Sequence, residues 1–212
     1  MTDKPLTILA IECSTSACSV ALRGPAGPIA GQNVPGRQAE AMVPLIGAVM
    51  KEAGLDWPDI SLIGVTVGPG SFTGLRIGLA AARGIALART LPVAGVTTAD
   101  LLAFSVPPEL YGDRKLLIAI DSRRDDLFVQ SPGGEILAMR PEEALAAHPG
   151  PLLVAGDAAE QFRGLRADVE IHSLLPDAAR LAELALRRFR DGTALAAQPL
   201  YVRPPDVSKP AP

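Results

Sequence analysis

Histidine, cysteine and aromatic residues are scarce in this 212-residue chain, and each shortage excludes something. The two histidines, His148 and His172, form neither H-x-x-x-H nor H-E-x-x-H, so no histidine metal pair is present. The two cysteines, Cys13 and Cys18, make a lone C-x4-C, which is too few sulfurs for a zinc site; two reduced cysteines packed near a hairpin are expected. Aromatics are 4% of the chain, so a core must be built from Ala, Val, Leu and Ile. Basic excess is lacking too: the net charge is −3, which argues against a large self-sufficient nucleic-acid surface. Long apolar runs are absent. The run Leu6–Ile11 ends at Glu12 and is too short for a signal-peptide core, and nothing approaches a membrane span. A cytoplasmic protein is the expectation. No G-x-S-x-G occurs to mark a hydrolytic serine.

What is present is an internal repeat. The stretch LTILAIE-CSTSA-CSVALRG reads as strand, polar turn and strand, and so does KLLIAID-SRRDD-LFVQSPGG. Displaced by 109 residues without gaps, Ile8 falls on Leu117, Ala10 on Ala119, Glu12 on Asp121 and Val20 on Val129. The order of elements repeats as well. After the first hairpin the pattern predicts a strand near 28–34, a helix over 37–53, a strand over 62–67, a helix over 72–89, a strand near 92–96 and a helix near 98–104. After the second it predicts a strand near 135–139, a helix near 142–147, a strand over 152–155, a helix near 158–163, a strand near 169–172 and a helix over 177–190. Each half therefore reads βββαβαβα. This is an α/β layout resembling the actin-like ATPase (ASKHA) fold, duplicated, with a reduced second domain. The expected division is 1–105, 106–203 and a flexible Pro-rich tail at 204–212.

Between strand and helix lies the turn Gly68-Pro-Gly-Ser-Phe-Thr-Gly74. It is not a P-loop, because no lysine occurs between Ile60 and Arg114, and its glycines are spaced G-x-G-x-x-x-G, which fails the dinucleotide fingerprint. Its amides and Ser71 suit an anion at a helix start. A tight turn for close packing is the favoured alternative. The helix after it carries Gly74, Gly78, Ala81, Ala82, Ile85 and Ala88 along one side, as though another backbone approached closely, either the chain's own sheet or a second chain. In the preceding helix Ala39, Met42, Val43, Ile46, Val49, Met50 and Ala53 form an apolar stripe interrupted by Pro44, which suits either a partner or the core. At the first hairpin Glu12, Ser14 and Thr15 sit where a phosphate-binding turn would; a kinase of this architecture carries Asp at the Glu12 position, so Glu12 is not expected to be a catalytic acid. Asp121 is expected in an ion pair or a solvated turn with Arg123 and Arg124 beside it.

Taken in order, LAIECSTSACSVAL, RQAEAMVPLI, GVTVGPGSFTGLRIGLAAARGIALA, AIDSRRDDLFV and PLYVRPPDV resemble the bacterial TsaB family, formerly called YeaZ, over nearly the whole chain. The resemblance implies a non-catalytic subunit in the synthesis of threonylcarbamoyladenosine beside the tRNA anticodon. It implies pairing with the catalytic TsaD, joined by the small ATPase TsaE, a homodimer when alone, and tRNA reached only through the complex. TsaD-like proteins carry H-x-x-x-H on their first helix. Here that region reads Arg37-Gln-Ala-Glu-Ala-Met42, so neither metal nor transfer chemistry is expected. The family's pairing surface maps onto the helices over 37–53 and 72–89, with Arg37, Glu40, Met42, Val43, Ile46 and Met50 on the first and Gly74, Arg76, Gly78, Ala81, Ala82 and Ile85 on the second as expected contacts. No cofactor is expected beyond weak ATP or ADP binding at the partner interface, for which Glu12, Ser14, Thr15, Gly70 and Ser71 are the candidates. A small actin-like ATPase or kinase is opposed by Glu12, the missing lysine and the reduced second half. A glycoprotease-type peptidase is opposed by the missing histidine pair.

Overall fold

The computed structural model describes residues 6–35 and 38–203. Arg37 and the segment 204–212 therefore lie outside the described residues. Strands β1 (Ile8–Glu12), β2 (Ala17–Gly24) and β3 (Gly27–Pro35) form an antiparallel meander. Helix α1 (Gln38–Ala53) and a 3-10 turn at Trp57–Asp59 lead into β4 (Leu62–Gly68), α2 (Phe72–Arg89), β5 (Val93–Thr97) and α3 (Thr98–Ser105). The one-turn helix α4 (Pro108–Tyr111) opens the second half: β6 (Lys115–Asp121), β7 (Leu127–Gln130), β8 (Leu137–Met139), α5 (Pro141–Ala147), β9 (Leu152–Gly156), a 3-10 turn at Ala159–Phe162, β10 (Val169–Ser173) and α6 (Ala178–Arg190).

The two five-stranded sheets have the same order, β3-β2-β1-β4-β5 and β8-β7-β6-β9-β10. In each, the hairpin pairs antiparallel while β1–β4–β5 and β6–β9–β10 run parallel. Strands β1 and β4 are buried throughout, which is why they read as continuous apolar runs without alternation. The helix expected near 158–163 is only the 3-10 turn, so the second half is further reduced than its sequence pattern suggested. Helix α1 continues through Pro44, whose ring nitrogen has no hydrogen for the Glu40 carbonyl one turn back.

Successive residues of the central strands serve different cores, because side chains alternate across a sheet. On the outer face of the first sheet, Leu9 and Ile11 pack with Met42, Val49 and Leu79 of α1 and α2. On its inner face, Ile8 and Ala10 pack with Leu181, Ala182 and Ala185 of α6. Helix α3 lies between the halves: its Leu101 joins that inner core, while its Ala99 and Leu102 join Ile118, Ile120 and Leu153 of the second sheet. The last helix of the second half thus covers the first sheet, and α3 is shared by both halves. Residues of 106–203 expected with the second half include α6, whose N-terminal amide at Ala178 is capped by Ser19 of β2 (3.1 Å). Arg180 ties α6 to α3 by donating to the Phe104 carbonyl (2.9 Å).

Leu181 is fully buried against the first sheet. Leu181→Ala should cost about 2–5 kcal/mol, read as a lower urea midpoint at unchanged slope. Amide exchange should accelerate in β1 before β6, although α6 follows β6 in the chain.

Candidate functional site

The glycine turn and the β1–β2 hairpin are built into one another. Gly70 has φ 150°, and a Cβ placed on it would lie 2.0 Å from the Ser14 carbonyl oxygen. That same oxygen accepts the Ser71 amide at 2.7 Å. The Ser71 hydroxyl in turn accepts the Gly74 amide at 3.2 Å and caps α2. The turn's glycine is therefore required by close backbone approach, and the Ser71 N–H that an anion would use is already bonded.

Beneath this contact Glu12 is fully buried. Its Oε1 accepts the Ser14 amide (2.5 Å), the Ser14 hydroxyl and the Thr66 hydroxyl (3.3 Å), while Oε2 is buried with no hydrogen-bond partner. Burial pushes the carboxyl up to about 7, against the opposing pull of the Ser14 hydrogen bonds. Ser14 and Thr15 are buried as well. Cys13 and Cys18 are free thiols and buried, as expected; hydrogen bonding to Cys18, then burial, keeps the Cys13 thiol protonated.

A cavity of about 750 Å³ lies between the halves. Gly70, Ser71 and Phe72 line one side, Arg123 and Arg124 the other, and Tyr201 a third. Of the five nucleotide candidates only Gly70 and Ser71 face it; Glu12, Ser14 and Thr15 do not line it and lie in the interior. Asp121 is engaged as expected, accepting the Arg123 amide (2.7 Å) and pairing with its guanidinium (3.2 Å). Asp157, whose Oδ1 accepts the Asp121 amide at 3.0 Å, is held above its usual range by burial. Among the described residues no three His, Cys, Asp or Glu side chains converge as a metal cage would require, and no helix is long and apolar enough to cross a membrane. The sequence reading missed the part of Leu200–Arg203 in this cavity. The mixed apolar and aromatic L-Y-V preceding an arginine was the available signal.

Helices α1 and α2 pack side by side against the outer face of the first sheet. Met42, Ile46 and Met50 are buried in that core, as are Gly74, Gly78 and Ala82; Ala81 and Ile85 pack against it. A Cβ on Gly78 would meet Cys13 Cβ at 3.4 Å. These expected partner contacts serve the chain's own core, because the small side of α2 is the side that approaches β1. The exposed surface keeps Val43 from the expected set and adds residues outside it. Val43 and Leu87 are 73% and 86% exposed. Gly47 on α1 and Ala80 and Gly84 on α2 are exposed as well, with open space where a Cβ on either glycine would go. Of the remaining expected contacts, Glu40 and Arg76 are exposed, and Arg76 lies 3.7 Å from the centroid of the Phe72 ring.

Comparison with known proteins gives a consistent picture. The family model of TsaD, tRNA N6-adenosine threonylcarbamoyltransferase, matches residues 33–147. The chain is 30% identical to the tRNA threonylcarbamoyladenosine biosynthesis protein TsaB of Escherichia coli, covering 93% of this chain and 95% of that one. Its fold is similar to YeaZ from Pseudomonas aeruginosa, with a TM-score of 0.78 at 27% identity over 92% of this chain and 99% of that chain. The ethanolamine utilization protein EutJ from Carboxydothermus hydrogenoformans shares the fold alone, with a TM-score of 0.51 at 11% identity over 86% and 89% of the two chains.

Two outcomes follow from the buried contact. Gly70→Ala should destabilise by about 2–4 kcal/mol, through overpacking and backbone strain together, measured as a fall in the urea midpoint. The Glu12 carboxyl titrates near 7 when folded, against 4.5 as an ordinary group. Between those values the folded chain holds a proton that the unfolded chain has lost. The stabilisation is complete below pH 4.5 and disappears as pH rises through 7, a change of roughly 3 kcal/mol. Denaturation across this range should show that slope for the native chain and lose it in Glu12→Gln.

Proposed function

Because the chain belongs to the TsaB family of tRNA threonylcarbamoyladenosine biosynthesis proteins, we propose that it serves that pathway as a non-catalytic pairing subunit. In this reading the exposed surface of α1 and α2 docks a TsaD-like catalytic subunit, and a TsaE-like ATPase joins the pair. Alone, the chain uses the same surface for a homodimer. It works in the cytoplasm, needs no cofactor of its own, and meets tRNA only through the complex.

The observation that carries the proposal is the contrast between the two sides of α2. One side, with Gly78, is filled by the chain's own sheet. The other, with Ala80, Gly84 and Leu87, is apolar or small and open. Open glycines on neighbouring helices allow another helix to approach closely, and Val43 and Leu87 supply apolar area at the same surface. The non-catalytic part is supported by the residues at the hairpin. Glu12 is enclosed and its carboxyl is pushed up to about 7 by burial, the Ser14 carbonyl fills the glycine turn, and no histidine stands between 37 and 42.

The test compares two glycines on one helix. Gly84→Leu meets open space and replaces glycine in an exposed helix, so it should leave the fold as stable or raise stability by up to about 1 kcal/mol. It should nevertheless weaken calorimetric binding to a TsaD-like subunit at least roughly tenfold, equivalent to about 1.4 kcal/mol. Gly78→Leu should do the reverse, losing about 1–3 kcal/mol of stability while its folded fraction binds normally. Unchanged binding by folded Gly84→Leu defeats the proposed surface. Modified tRNA formed from threonylcarbamoyl-adenylate by the lone chain defeats the non-catalytic assignment.

A further inference from the structure

Past α6 the chain doubles back over the first half. Leu195 lies antiparallel to Gly95 of β5 and exchanges two backbone hydrogen bonds with it, at 2.8 and 2.9 Å. Arg83 of α2 donates from Nε to the Ala197 carbonyl at 2.5 Å. The Leu200 amide donates to the Val67 carbonyl near the end of β4, at 2.7 Å. Tyr201 then packs beside Phe72, with ring centroids 6.2 Å apart, and its hydroxyl accepts from Arg76 at 3.4 Å. At Arg203 the chain reaches the second half. Its guanidinium pairs with Asp126 and lies 5.4 Å from the centroid of the Phe128 ring. Both partners of the pair are about three-quarters shielded from solvent, where an ion pair is less screened than at an open surface. The Ser122 hydroxyl holds the turn that presents Asp126, donating to the Asp126 carbonyl at 2.5 Å.

This segment lines the cavity between the halves, and much of the charge there is already matched within the chain. Arg203 is engaged by Asp126, Arg123 by Asp121, and Arg76 by Phe72 and Tyr201. Helix α3 joins the halves by apolar packing. A second attachment at a separate place restrains the hinge that a single packed element leaves free.

We infer that residues 195–203 form a clasp, an internal occupant of the cleft that fixes the second half against the first and holds α2 at Phe72, Arg76 and Arg83. The clasp closes through Arg203 and Asp126. It does not rest on the pairing reading, because it concerns contacts within one chain.

The experiment is a charge exchange in the full chain, read by amide hydrogen exchange without any partner. Arg203→Glu places like charges together. Exchange at the Leu200 amide should accelerate roughly tenfold, as expected when an opening equilibrium shifts by about 1.4 kcal/mol. Amides of β7 should accelerate with it, while β1 stays at the native rate. Asp126→Arg alone should do the same. The double exchange, Arg203→Glu with Asp126→Arg, should return Leu200 and β7 to near-native rates. A second variant ending at Gln198, shown by circular dichroism to be folded, should increase the radius of gyration in small-angle scattering. Native exchange rates at Leu200 and β7 in the single charge variants, or failure of the double exchange to restore them, overturn the clasp. So does a folded truncated chain with an unchanged radius of gyration.

Discussion

The backbone of Ser14 stands in the place that a side chain on residue 70 would occupy, and much of the molecule is arranged around that contact. Its carbonyl fixes the start of α2 through the Ser71 amide, so the hairpin and the helix cannot move independently. Its amide and hydroxyl hold Glu12 Oε1, which couples the depth of the carboxylate to the same turn. The carboxylate and the amides of Ser14 and Ser71 are all committed inward. The cost of burying Glu12 is reduced by its protonation, and its hydrogen bonds to the serine are what keep its pKa from rising further.

The repeat, the strand order it implies and the ends of α2 were legible because they depend on local signals. Continuous apolar runs mark strands buried on both faces, and Ser71 followed by small residues marks a helix start. The sequence could not separate the inward residues of α1 and α2 from the outward ones: of the expected contacts, Met42, Ile46, Met50, Gly74, Gly78 and Ala82 are buried while Glu40, Val43 and Arg76 are exposed. Periodicity identifies which residues share a side but not whether that side meets the chain's own sheet or another molecule. Gly78 and Gly84 lie on different sides of one helix, and only the structure shows that the first faces Cys13 and Ile11 while the second faces open space. The second 3-10 turn was taken for a helix because four apolar or neutral residues at Ala158–Phe162 fit either form. The destination of α6 was illegible for another reason. A helix that pairs with strands more than 150 residues earlier leaves no trace in its own stretch, and the Ser19 cap on Ala178 is visible only in three dimensions.

Helix α6 and the shared helix α3 give each sheet an inner covering drawn in part from the other half of the sequence. The outer coverings are unequal. The first sheet carries two full helices, whose outer surface is open, whereas the second carries the short α5 and a single 3-10 turn. Reduction of the second half therefore spares the parts that complete the first: α6 retains 13 residues and five buried aliphatic anchors, Ala178, Leu181, Ala182, Leu184 and Ala185. The proposed docking helices rest on a sheet sealed from behind by the far end of the chain.

That arrangement has a bearing on synthesis. A ribosome releases the whole of the first sheet, through β5, long before it has translated α6. At about 5–20 residues per second, the intervening stretch takes on the order of ten seconds to emerge. During that interval Ile8, Ala10, Leu62 and Val96 lack part of their native cover on the inner face, since Leu181, Ala182 and Ala185 of α6 have not yet joined Leu101 of α3 there. The nascent first half is a sheet with one incompletely covered apolar side, and its native core closes only when α6, which begins at Ala178 of the 212 residues, arrives.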